Sequence, residues 1–208
     1  MLSLWAHEAP ADRLHRLEQE TNYVKKTALA QYDLAEAAFL ASDFERAAEV
    51  VERLLGVEDI PLDVYWLHGQ LLWQAGDLNR AHLALGHYLS EGGKRPSARR
   101  IYAGILVAMN LLETAGVEYQ KSGEHTGRPD DFLRAARLAL KTKNPDLAVA
   151  RLEKGLSQIG PAVSLREEMV RVRIARGERK IALQEIDALL KLAPSHQGWK
   201  DLRKEILE

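Results

Sequence analysis

The 208-residue chain carries 29 basic and 30 acidic side chains, a formal net charge of −1, so no global field draws it to nucleic acid or to an anionic membrane surface. Hydrophobic residues make up 46% and charged residues 28%, which excludes a disordered polyelectrolyte and leaves enough apolar side chain for a core. Cysteine is absent, which excludes disulfides, thiolate metal ligands and a cysteine nucleophile and leaves the compartment open.

The opening MLSLWAHEAP holds the apolar run Leu2 to Ala6. That run is shorter than the roughly 7–15 residues of a signal-peptide core. It reads as a hydrophobic tail docking on the first helices, with the trimmed end of an export signal as the alternative. A cytoplasmic location is slightly preferred to a periplasmic or exported one. The longest apolar run, Tyr102 to Met109, falls well below the roughly 20 residues of a membrane-crossing helix, so no membrane span is expected.

PADRLHRLEQET follows, with Leu14 and Leu17 on one helical face. No breaker separates it from VKKTALAQYDLAEAAFLA, so one long helix is expected. Residues 1–27 are taken as an N-terminal tail and capping helix.

From residue 28 onward the chain repeats itself. Ala47, Ala81, Ala115, Ala148 and Ala182 are separated by 34, 34, 33 and 34 residues. Twelve residues before each stands a mostly small residue: Ala35, Gly69, Ala103, Ala136 and Val170. Four after each stands a bulky one: Val51, Leu85, Tyr119, Leu152 and Ile186. Small residues let two helices approach closely, and the bulky residue one turn later fills the groove beside that contact. Prolines recur with the same period at Pro61, Pro96, Pro129, Pro161 and Pro194, where a first helical turn tolerates them.

Turn residues separate the two helices of most units: Ser42-Asp43, Gly76-Asp77, Asn144-Pro145-Asp146 and Gly177-Glu178. The third unit lacks a turn glycine, and Asn110 takes its place. The fifth has Val170 where a small residue is expected. It also carries Arg166 and Arg173 at usually apolar positions, which predicts locally opened packing. Finally, HQGWKDLRKEIL spaces Trp199, Leu202 and Ile206 to cover the end of the fifth unit.

This pattern resembles the tetratricopeptide repeat family, whose unit is a helix–turn–helix of about 34 residues. The resemblance implies an all-α, right-handed superhelical solenoid with terminal capping helices. Five units are expected at residues 28–61, 62–95, 96–128, 129–162 and 163–194, with a capping helix at 195–208. It further implies that the first helix of each unit lines a groove. The corresponding positions are Tyr32, Glu36 and Phe39; Trp66, Gln70 and Trp73; Arg100, Gly104 and Val107; Leu133, Arg137, Leu140 and Lys141; and Glu167, Arg171 and Ile174. Aromatics gather in the earlier units and positive charge in the later ones. Such a groove suits a segment whose apolar side chains meet Trp66 and Trp73 while an acidic group meets Arg100, Arg137 and Arg171. Against this stands wedging of the aromatics between units, and pairing of the arginines with acids such as Glu167.

Family members that grip the C-terminal carboxylate of chaperones use lysine, asparagine and arginine at positions held here by Tyr32, Glu36, Leu67, Ser97 and Ile101. None matches, so that clamp is not expected. The basic stretch GGKRPSARR reads as a solubilising inter-repeat loop, with a phosphate or acidic-peptide contact as the alternative. The histidines are scattered, and His82 and His87 do not share a helix face as a metal pair would. Asp130-Asp131 reads as helix capping. Phosphate-loop, dinucleotide and nucleophile-elbow motifs are missing. The expected function is therefore non-catalytic, without cofactor or metal: a scaffold or adaptor for a peptide or helix of another protein. Self-assembly through Trp66, Trp73 or the N-terminal helix is the first alternative, and a regulator sensing a small ligand or peptide the second. Nucleic acid is not an expected partner.

Overall fold

The computed structural model describes residues 8–21 and 27–208. The apolar run Leu2 to Ala6, with its two readings, lies outside them. Twelve α-helices and no strand are found among the described residues. The chain divides into two compact units, Met1–Ala98 and Arg99–Glu208.

In the first unit, α1 (Pro10–Thr21) precedes two antiparallel pairs, α2 (Ala28–Leu40) with α3 (Phe44–Leu54) and α4 (Asp63–Gln74) with α5 (Leu78–Ser90). The expected single helix running from α1 into α2 does not form. Thr27 is extended, at φ −124° and ψ 137°, and its side-chain oxygen accepts the Ala30 N–H at 3.3 Å. This is an N-cap, and it starts a new helix. The two helices then lie side by side, with Arg13 3.6 Å from Glu36, while Arg46 of α3 reaches Glu18 of α1 at 2.9 Å.

The second unit contains α6 (Ala98–Ala108, all but its first residue), α7 (Leu112–Thr126), α8 (Pro129–Lys141), α9 (Pro145–Ile159), α10 (Val163–Ala175), α11 (Arg179–Leu192) and α12 (Gln197–Leu207). Phe132, Leu152, Leu165 and Met169 form its main core across α8, α9 and α10. Trp199 and Ile206 of α12 close over Val170, Ile186 and Leu189.

Every member of the three periodic columns is buried. Each helix pair turns on one residue with positive φ: Ser42, Gly76, Asn110, Lys143 and Gly177. Asp43, Asp77 and Asn144 then cap the following helix by accepting the N–H three residues on. The fifth pair stays closed despite its arginines. Val170 is buried, Arg166 pairs with Glu185 at 2.6 Å, and Arg173 reaches Glu153 at 2.9 Å and Glu178 at 2.6 Å. Charge at those positions is matched by acids on neighbouring helices, so the expected opening is absent.

Candidate functional site

Helix α8 is sharply two-faced. Phe132, Ala135, Ala136 and Ala139 enter the core, while Leu133, Arg137 and Lys141 form a stripe at four-residue spacing on the other face. Beside that stripe, Val107 from α6 and Tyr119 from α7 complete a concavity of about 480 Å³. Asp130, Arg134 and Leu138 are the remaining lining residues. The floor is apolar and the rim mainly cationic. The Arg134 guanidinium stands 5.7 Å from the centre of the Tyr119 ring. Among the described residues, neither Arg134 nor Lys141 has an ion-pair partner.

Arg137 is about half exposed and grips both oxygens of Glu168, at 3.2 and 3.1 Å. Those bonds hold its charge more firmly than usual, against the smaller effect of burial. Arg171 donates to the same carboxylate at 2.9 Å and is two-thirds exposed. The acid serving these arginines is thus Glu168 and not Glu167. Glu167 instead accepts the indole N–H of Trp199 at 3.1 Å.

Arg100 turns inward. Its Nε lies 3.3 Å from Asp131, whose side chain is fully buried and accepts the Ser122 hydroxyl at 2.8 Å. The capping read for Asp130-Asp131 is not seen: no side-chain bond caps α8, and Asp131 instead sets its buried carboxyl group against Arg100 and Ser122. With its charge committed there, Arg100 offers the rim less than Arg134 does.

In the first unit, Tyr32, Glu36 and Trp66 come together around a residue the sequence had placed in a solubilising loop. Arg95 stacks on Trp66, 4.0 Å from the ring centre, and donates to Asp63 at 2.8 Å, to Glu36 at 2.6 Å and to the Tyr32 hydroxyl. Trp66 is 8% exposed beneath it. Burial, then the neighbouring Glu36 charge, push the Tyr32 phenol far above its ordinary value. Phe39 is half-buried and meets Phe44 edge-on at 5.5 Å. Gln70 is half-buried, and Trp73 is exposed at the end of α4.

Sequence reasoning missed two cations that matter, Arg95 and Arg134. Arg134 was findable, since it lies one helical turn from Asp130 and Leu138 on the same face. Arg95 was not, because the path of the loop that carries it depends on tertiary packing.

No protein-family model matches the sequence, and no curated protein matches it. Solved structures do. YrrB, a TPR protein with an unusual peptide-binding site, superposes with a TM-score of 0.66 at 14% identity, over 92% of this chain and 99% of that one. A MamA protein gives 0.62 at 14% identity, covering 79% and 90%. PilF of Pseudomonas aeruginosa gives 0.56 at 16% identity, covering 95% and 97%. At such identities the likeness is one of fold.

Proposed function

From the premise that this chain has the tetratricopeptide-repeat fold, we propose that it is a non-catalytic protein-interaction scaffold. Its second unit binds an acidic segment of a partner, with one bulky apolar side chain seated between Val107, Tyr119, Leu133 and Leu138. The observation that carries this reading is the pairing of an apolar floor with the exposed cations of Arg134 and Lys141 above it, unpaired among the described residues. Apolar burial supplies most of the affinity of such a site, and the rim charges supply register and speed of encounter. The comparison with YrrB supports a peptide as the ligand class by analogy of fold. The chain's net charge of −1 makes the cationic rim a local feature and not part of a general basic surface.

Selection from a displayed random peptide library tests this. Wild type is expected to enrich peptides with two or more acids flanking a leucine or aromatic residue. A folded Leu133→Asp, Arg134→Glu, Lys141→Glu variant is expected not to. Enrichment of the same peptides by both proteins would move the binding surface elsewhere.

A further inference from the structure

The loop joining α5 to α6 is short, and its shape is set by its glycines. Gly92 takes φ +81°, in open space where no side chain would collide. Gly93 lies flat on Tyr88, where a Cβ would come within 2.3 Å of the ring. Tyr88 Oη in turn accepts the Arg95 backbone N–H at 3.0 Å and donates to Asp63 at 3.1 Å. The loop thereby delivers one side chain, Arg95, onto α2 and α4.

What receives it is complete as a guanidinium site. An indole face lies under the guanidinium, and two carboxylates and a phenol accept from its N–H groups. A planar fork over an aromatic face satisfies this geometry, and a point charge does not. Arg13 lies 3.6 Å from the other oxygen of Glu36 and balances part of the remaining negative charge.

Arg95 nevertheless leaves two buried donors of α4 without an acceptor. The Trp66 Nε1–H, on a side chain more than nine-tenths buried, finds no acceptor. The Gln70 Nε2, one turn along the same helix, finds none either. Buried donors are nearly always paired, so two orphans on one helix face beside an occupied cation cradle mark a place where acceptors belong. A peptide provides them: its backbone carbonyls lie within reach of the arginine side chain they flank.

We infer that this surface of the first unit is a recognition site for an arginine side chain, held filled by Arg95 until a partner's arginine, with its flanking carbonyls, takes its place. The site is separate from the second-unit groove, and its test involves no residue of that groove.

The probe is N-acetyl-arginine N-methylamide, with the lysine analogue as control, titrated by calorimetry into wild type and Arg95→Ala. The variant is expected to bind the arginine amide saturably and at least ten-fold more tightly than wild type, whose own Arg95 competes. The lysine amide is expected to bind at least five-fold more weakly than the arginine amide. Adding Glu36→Gln and Asp63→Asn to the variant is expected to abolish binding. Should Arg95→Ala fail to fold, Arg95→Lys keeps the charge but leaves the indole uncovered, and the arginine amide is expected to raise its Tm more than that of wild type. Binding no tighter in the variants than in wild type would overturn the assignment. So would equal binding of the two amides, or binding that survives loss of both carboxylates.

Discussion

At position 69 the chain has room for a hydrogen atom and little else. A Cβ on Gly69 would lie 2.5 Å from Leu85 Cγ, and Leu85 is itself fully buried. Gly69→Ala is therefore expected to destabilise the protein by about 1–3 kcal/mol, the usual cost of overpacking, despite the higher helix propensity of alanine. Urea denaturation followed by circular dichroism measures it, and no loss of stability would mean that Leu85 yields freely. This residue was legible before any coordinates, since glycine stood in a column otherwise filled by alanine and one valine. Trp66 was not. Its position on the first helix of its unit suited both a binding surface and a core. The choice between them was made by Arg95, which is 29 positions away in sequence and lies in a loop whose periodic residue is its neighbour Pro96.

Elements explain why the repeat could be read so directly. Each helix pair buries the same three columns, so selection for close packing writes itself into the sequence at the period of the structure. The termini obey weaker constraints. Between α1 and α2 no proline or glycine marked a boundary; the extended backbone of Thr27 and its side-chain bond to the Ala30 N–H do so in the structure. The capping helix α12 was clearer, because its apolar spacing had no other use. Removing residues 195–208 uncovers Ile186 and Leu189. Native-state hydrogen exchange on that truncated chain is expected to show α11 losing protection while α8, α9 and the α10 they pack against keep theirs, as nearest-neighbour stabilisation requires. Uniform loss across the second unit would instead show that it opens as one cooperative block.

Over the whole molecule, opposite charges nearly cancel, and the informative quantity is where the cancellation fails. Most arginines are committed internally: Arg95 to Glu36 and Asp63, Arg100 to Asp131, Arg173 to Glu153 and Glu178. The sequence showed positive charge collecting in the later units, but it could not show which cations were already paired, because each pairing acid comes from another helix. Arg134 and Lys141 stand apart from that pattern, beside an apolar concavity, and the proposed scaffold function rests on them. The measurement that tests it most directly is a charge-swap cycle. Fluorescence anisotropy would follow a library-selected acidic peptide, and its lysine-substituted counterpart, against wild type and the Arg134→Glu, Lys141→Glu variant. The account predicts that the variant loses at least ten-fold in affinity for the acidic peptide and recovers binding with the basic one, the wild-type interaction weakening as salt is raised. Equal affinity of both proteins for the acidic peptide would contradict it.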